Sequence, residues 1–398
     1  MGLNNTVSAE RIHIGFFGMR NAGKSSLVNA VTGQELAVVS DVKGTTTDPV
    51  KKAMELLPLG PVVIIDTPGI DDEGELGELR IKKAKQALAQ TDIAILVVDS
   101  QVGLSEKDND LIAEFKERKT PYIIAYNKSD LSDVVTDDNS VSVSAKDKIN
   151  INELKEKIAS LSRNAKTEKH IVADLLQKGD TVVLVIPIDE SAPKGRLILP
   201  QQQTIRELLE SGCTAVCCRD TELAQTLDSL AKKPSLVITD SQAFGKVSKE
   251  VPEDIPLTSF SILFARYKGD LAKLVEGASM LSKIKDGDKI LIAEGCTHHR
   301  QCNDIGTVKM PRWIESFSNA KPEFSFTSGT EFPDNPEEFS LIVHCGGCML
   351  NEKEMQSRIG RAIANGVPIV NYGIAIAHMN GILKRSVEIF PDILKILN

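Results

Sequence analysis

Between Arg11 and about Leu161, short apolar runs at residues 12–17, 62–65, 93–98 and 122–126 alternate with longer stretches whose apolar residues recur at helical spacing. Runs that are apolar throughout, rather than at every second position, predict strands covered on both faces, and the amphipathic stretches between them supply the covering helices. Repeated strand–helix–strand units of this kind build a doubly wound, mostly parallel α/β sheet.

The pattern changes after that. A polar, charged stretch at 162–169 loses its apolar period, which places a linker near 162–175. Strand-like runs at 182–186, 214–218, 236–239 and 259–264 then alternate with helix-like stretches at 202–210 and 221–231, predicting a second, smaller α/β domain. A helical stretch at 271–281 and a strand-like run at 289–293 open a last α/β segment in which Cys and His cluster at the ends of apolar runs. The expected organisation is three domains: 1–168 for nucleotide, 175–268 as a small α/β domain, and 270–398 as a metal-binding α/β domain. The acidic stretch 71–78 reads as a solvated, mobile loop.

Bulk properties narrow the partners. A chain of 398 residues is too long for one ordinary core. With 26% charged residues and no run near the ~20 apolar residues that cross a bilayer, no membrane span is expected. A net charge of −8 without a long Lys/Arg run, and 4% aromatics with Trp313 the single tryptophan, make nucleic acid a poor partner. The polar first residues lack the basic-then-apolar order of a secretory leader, so the cytoplasm is expected and structural disulfides are not. All seven cysteines nevertheless lie beyond residue 212, so the two halves differ in chemistry.

Residues 18–25, GMRNAGKS, fit G-x-x-x-x-G-K-[ST] between an apolar run and a helix beginning near Lys24. In that context Gly18, Asn21, Ala22 and Gly23 wrap a loop whose N–H groups, with those of Ser25 and Ser26 at the helix start, face phosphate oxygens. Lys24 neutralises those oxygens and Ser25 offers a hydroxyl to Mg²⁺. Asp66, Thr67, Pro68 and Gly69 follow the run at 62–65, placing Asp66 in the Mg²⁺ shell and the Gly69 N–H where a γ-phosphate would be sensed. Asn127, Lys128 and Asp130 follow the run at 122–126; the Asp130 carboxylate can accept two hydrogen bonds from guanine that adenine cannot offer. Ser144, Ala145 and Lys146 complete the set, whose order and spacing resemble the small GTPases. GTP and Mg²⁺ are therefore the expected ligands.

Three details refine the hydrolysis. Residues 44–48, GTTTD, look like a switch region in which Thr46, or alternatively Thr45, closes over Mg²⁺. Ile70 stands where Ras-like proteins carry a water-orienting glutamine, predicting slow turnover. Asn21 resembles the phosphate-loop asparagine of GTPases that bind K⁺ beside the phosphates, so K⁺ stimulation is expected.

Near the C-terminus, Cys296-Thr297-His298 and His344-Cys345-Gly346-Gly347-Cys348 each follow an apolar run. Adjacent strand ends would gather three thiolates with two imidazoles, a donor set that suits zinc and iron–sulfur about equally by spacing alone. Cys213, Cys217 and Cys218 border or occupy the apolar run 214–218 and read as packing.

The nucleotide motifs together with C-x-H…H-C-x-x-C, followed by Asp304-Ile305-Gly306 and Pro311-Arg312-Trp313, resemble the FeFe-hydrogenase maturation GTPases, HydF, over essentially the whole chain. The resemblance implies a 4Fe–4S cluster on Cys296, Cys345 and Cys348 with an open or weakly held fourth iron position. His298 and His344 could reach that position or hold an incoming cluster, or could only hydrogen-bond the loop. Cys302, Asn303 and Asp304 are further candidate donors. It also implies a scaffold and carrier, homodimeric through the middle domain, that receives a di-iron precursor made with radical-SAM maturases and delivers it to apo-hydrogenase, with the nucleotide state gating exchange. A zinc-stabilised regulatory GTPase and a ribosome- or tRNA-associated GTPase are the alternatives.

Overall fold

The computed structural model describes residues 8–34, 49–70, 75–165, 169–188, 197–295 and 304–397. The chain divides into two compact units, 1–167 and 168–398.

The first unit runs β1 (Ile12–Phe17), α1 (Lys24–Thr32), β2 (Val50–Leu56), β3 (Gly60–Asp66), α2 (Glu75–Ala89), β4 (Ile93–Asp99), α3 (Glu106–Glu117), β5 (Tyr122–Asn127), β6 (Ser140–Ser142) and α4 (Ile151–Ala165). Its sheet has the order β2-β3-β1-β4-β5-β6, parallel except for the antiparallel pair β2 and β3. Alternate residues of each strand supply opposite cores. Ile14, Phe16, Ile64, Ile95 and Val97 meet Leu27, Leu154 and Ile158, while Phe17, Val63, Ile65, Leu96 and Val98 meet Ala84, Leu88, Leu111 and Phe115. Helices α1 and α4 thus cover one face and α2 and α3 the other, which makes the unit doubly wound as the apolar runs predict.

Two stretches depart from expectation. Strand β2, VKKAMEL, is an exposed edge strand with few buried side chains, so it carries no apolar run. Helix α2 begins at Glu75, inside the acidic stretch expected to be a loop. Glu78 falls in its first turn, where a carboxylate meets the positive end of the helix dipole.

The second unit holds two parallel sheets. The first is built from β7 (Thr181–Val185), α5 (Leu199–Glu210), β8 (Thr214–Cys218), α6 (Leu223–Ser229), β9 (Leu236–Thr239), α7 (Phe244–Glu250) and β10 (Leu257–Ser259), in the order β10-β9-β7-β8. After α8 (Phe260–Lys268) and α9 (Leu271–Ala278) come β11 (Lys289–Ala293), α10 (Met310–Ser318), β12 (Glu323–Thr327), β13 (Leu341–His344), α11 (Glu352–Ala364), β14 (Ile369–Asn371) and α12 (Tyr372–Met379). That second sheet has the order β12-β11-β13-β14.

The apolar run at 259–264 is mostly helix α8 rather than strand. Phe260, Ile262, Leu263, Phe264 and Ala265 are all buried, so the run has no polar face to reveal its period. α8 packs on α5 beside the first sheet and on α9, α11 and α12 beside the second. The two sheets therefore share one apolar core, continuous from Val183 and Ile238 through Phe264 to Ile292 and Val343.

Candidate functional site

In each of two sheets, the loops that carry candidate chemistry leave the C-terminal ends of parallel strands where the chain order reverses, the usual ligand crevice of an open α/β sheet. In the first unit that point lies beside β1.

Gly23 adopts φ 87° at the start of α1, and a Cβ there would stand 2.2 Å from Asn127 Nδ2, so only glycine fits. No side chain caps α1, which leaves its first N–H groups for an anion. Lys24 is buried and its ammonium donates to the carbonyls of Gly18 (2.9 Å) and Met19 (2.7 Å), curling the loop around it. Asn21 is exposed with φ 60°.

Ser25 Oγ donates to Asp66 Oδ2 at 2.9 Å. Asp66 is buried, and its Oδ1 is a buried acceptor without a hydrogen-bond partner. Burial raises its pKa, against the lowering effects of the Ser25 hydroxyl and the Lys24 charge. A hydroxyl beside an unmet carboxylate oxygen is the donor set of a hard divalent cation, so the residues fit Mg²⁺. Thr67 Oγ1 donates to Phe16 O at 2.6 Å, tying this turn to β1. Gly69 lies against the backbone of Arg20, and Ile70 is buried.

Asn127 joins the loops. Its Nδ2 donates to Ala22 O at 3.0 Å and its Oδ1 accepts from Ala145 N at 3.0 Å. Asp130 is exposed, and its Oδ1 accepts from Ser144 Oγ at 2.8 Å. Lys128, at φ 67°, reaches back to Asp99 Oδ2 at 2.5 Å. Asp99 has no motif of its own, and only its position at the end of an apolar run hints at it. Pro68 lies between Thr67 and Gly69, Ser26 is half-buried on α1, and Lys146 is exposed. Thr45 and Thr46 lie outside the described residues.

The second candidate point lies between β11 and β13, where Ala293 is opposite His344. Cys345 N donates to Ala293 O at 2.8 Å, and Cys345 Sγ accepts from the N–H groups of Gly295 (3.0 Å) and Gly347 (3.4 Å). Two amide N–H groups thus converge on one sulfur, and Gly295 immediately precedes Cys296. Burial and the neighbouring Cys345 push the Cys348 thiol up, while the Lys268 ammonium pulls it down. Lys268 is itself buried and donates to Cys348 O (3.2 Å) and Leu350 O (2.9 Å). Tyr372 OH donates to Glu294 Oε1 at 3.3 Å, and its pKa is raised well above the usual range, first by burial and then by Cys345, Glu294 and Asp304.

The other predicted donors divide. Cys296, His298, Cys302 and Asn303 lie outside the described residues. Asp304 Oδ2 accepts from the N–H (2.8 Å) and hydroxyl (2.9 Å) of Thr307, capping a single π-helical turn at Ile305–Lys309. His344 is fully buried with both ring nitrogens engaged: Nδ1 lies 2.8 Å from Cys345 O and Nε2 3.1 Å from Arg358 Nη1. Among the described residues no three His, Cys, Asp or Glu side chains converge as a metal site. Of the other cysteines, Cys213 is buried and Cys218 half-buried, whereas Cys217 is exposed on edge strand β8, so packing does not describe it.

The asparagine that clamps a lysine-bearing phosphate loop to an Asn-Lys-x-Asp loop marks the first unit as a P-loop GTPase with GTP and Mg²⁺ as its ligands, and residues 13–128 match the family model described as 50S ribosome-binding GTPase. The chain belongs to the hydrogen maturase F family: residues 171–269 match its dimerization domain and residues 272–389 its tetramerization domain, together more than half of the chain. This is the family that the cysteine pattern resembles. Periodicity and spacing give the last segment no assembly role, yet the tetramerization model matches it.

Curated relatives match the nucleotide unit alone. The tRNA modification GTPase MnmE of Nitrosomonas europaea is 37% identical over 124 residues, 31% of this chain and 27% of that protein. The MnmE of Clostridioides difficile is 32% identical over 154 residues, 36% of this chain and 33% of that protein. The chain thus spans about a third or less of the length of these relatives. Among solved structures, Era of Aquifex aeolicus bound to GDP and AlF4⁻ aligns with 52% of this chain and 92% of that one, at 20% identity and a TM-score of 0.35. No helix among the described residues is long and apolar enough to cross a membrane.

Proposed function

We propose that this chain is a cytoplasmic GTPase scaffold of FeFe-hydrogenase maturation that holds a 4Fe–4S cluster on Cys345, Cys348 and Cys296 and carries a di-iron precursor to apo-hydrogenase. The observation that carries the reading is Cys345 Sγ, receiving two backbone N–H groups at the junction of two parallel strands inside a segment of this family. Thiolate donors of this kind suit iron–sulfur, and N–H groups aimed at sulfur are among the protein's means of setting a cluster's potential. When bound, the cluster would supply an iron position to which a cargo could attach. Among the chain's own residues, Cys345 and Cys348 would anchor it, Lys268 would hold the Cys348 and Leu350 carbonyls, and Asp304 would shape the turn that follows Cys296.

On the nucleotide side, Gly18, Asn21, Ala22, Gly23, Lys24, Ser25 and Ser26 would cradle the phosphates. Ser25, Asp66 and Thr46 would hold Mg²⁺, Thr67 to Gly69 would sense the γ-phosphate, and Asn127, Lys128, Asp130 and residues 144–146 would bind guanine. Buried Ile70 offers no group to orient water, in keeping with slow hydrolysis, and Asn21 would hold K⁺. The nucleotide state would gate exchange with radical-SAM maturases and hydrogenase. Equal turnover in Na⁺ and K⁺, or equal partner binding by the GTP and GDP forms, would remove those two parts of the reading. Self-association through residues 171–269 and 272–389 follows the family domains.

The deciding experiment is anaerobic reconstitution with iron and sulfide, comparing wild type with Cys345→Ala by iron analysis, visible absorption and electron paramagnetic resonance. A brown wild type with about four irons, lost in the variant, supports the scaffold. A colourless protein carrying zinc favours a regulatory GTPase instead. The ribosomal and tRNA names among the relatives concern the nucleotide unit alone and support no RNA role for the remainder.

A further inference from the structure

We propose that Arg358 is a positioning residue for the cysteine loop, acting through His344, and that His344 is therefore a structural hinge rather than an iron ligand. The inference rests on the cluster-site reading above. Arg358 is the largest fully buried side chain of the described residues, and each arm of its guanidinium is committed. Nε donates to Glu354 Oε1 at 2.8 Å, Nη2 to Gly329 O at 2.6 Å, and Nη1 lies 3.1 Å from His344 Nε2, with the Phe332 ring 5.4 Å from the guanidinium carbon.

An arginine can only donate. His344 Nε2 must therefore accept, which leaves the ring hydrogen on Nδ1, and Nδ1 is 2.8 Å from the Cys345 carbonyl, which can only accept. One contact thus fixes the tautomer and the tautomer fixes the other contact. The outcome is a chain from Glu354 through Arg358 and His344 to the Cys345 peptide, whose Sγ lies under the N–H groups of Gly295 and Gly347. Chain order makes it a staple. Asn351 caps α11 directly after the loop, and Arg358 on that helix returns to His344, the residue that begins the loop.

For His344 to bind iron it would have to give up Arg358 or the Cys345 carbonyl, leaving a guanidinium or a carbonyl buried without its partner. Buried ion pairs seldom improve stability over apolar residues, so one spent beneath a ligand loop is better explained by fixing that loop's geometry.

The test uses the full chain. In metal-free protein labelled with ¹⁵N at histidine, the His344 resonance, identified by its loss in His344→Gln, should report the Nδ1–H tautomer, and Arg358→Met should turn it into a mixture. An Nε2–H tautomer in the wild type overturns the proposal. In reconstituted protein, Arg358→Met and His344→Gln should each speed iron loss to a chelator by about 10- to 100-fold, and the double variant should be no faster than either single one. Additive losses, or an unchanged rate in Arg358→Met, overturn it. Should Arg358→Met fail to fold by circular dichroism, the wild-type tautomer and the His344→Gln rate still decide. A wild type that takes up no iron defeats the cluster reading, whereas the tautomer in the metal-free chain stands or falls separately.

Discussion

The phosphate loop and the cysteine loop occupy equivalent places in two different sheets, at the C-terminal ends of parallel strands where chain order reverses, yet they are built in opposite ways. The phosphate loop is one contiguous run of sequence that closes on its own lysine and is clamped by Asn127 to the base loop. The cysteine loop gains its geometry from residues that no motif contains: Lys268 from the end of α8, Arg358 from α11, which follows the loop, and the amide of Gly295 just past the neighbouring strand β11. A loop that must bind a constant ligand, a polyphosphate, can carry its whole geometry in its backbone. A loop presenting side-chain sulfurs depends on what surrounds it.

The sharpest way to break this comparison is a methyl group in each loop. Gly23→Ala forces a Cβ to 2.2 Å from Asn127 Nδ2 at a left-handed φ. GTP affinity should fall roughly 10- to 100-fold, matching a strain of about 1–3 kcal/mol. Gly346→Ala meets only Ser261 Oγ, at 3.5 Å, so iron content after reconstitution should stay within experimental scatter of wild type. Titration calorimetry with GTP and iron analysis read the pair. Equal damage in both loops would show that the cysteine loop is as self-contained as the phosphate loop.

A smaller effect concerns Asp66. Burial raises its pKa, so without metal the folded chain keeps its proton to higher pH than the unfolded chain does. Stability should then fall as pH rises through the window just above the ordinary carboxylate range, and Mg²⁺ should restore it. Asp66→Asn, with no charge to bury, should be more stable than wild type without Mg²⁺ at neutral pH by about 1–3 kcal/mol and should ignore Mg²⁺. Urea melts with and without the ion check this. A variant weaker than wild type in the metal-free state would mean that the protein alone satisfies the carboxylate.

The same contrast explains what could be read from the chain. Strands β1, β3, β4 and β5 are apolar on both faces and stand out, and the phosphate loop is a fixed string between two of the elements they define. Strand β2 escapes because an edge strand buries little, and the start of α8 reads as a strand because its apolar run, Phe260 and Ile262 to Ala265, is buried without a break at helical spacing. Near the cysteines the pattern supplies donors but not their supports. Glu354 and Arg358, spaced i,i+4 on α11, look like an ordinary solvent-facing pair, and burial alone distinguishes them. His344 looks like a ligand for the same reason, since nothing in HCGGC reveals that an arginine further along already occupies its free nitrogen.

The continuous core beneath α8 has a consequence for how the second unit comes apart. A shared apolar interior makes both sheets one cooperative block, so local opening at one sheet draws on the free energy of the whole. The segments that match dimerization and tetramerization domains are then not detachable modules, and a cut at Gly269 would leave two halves each exposing core. Lys268, the last residue of α8, holds the carbonyls of Cys348 and Leu350, so the sulfur loop is tied to the same block and is expected to melt with it.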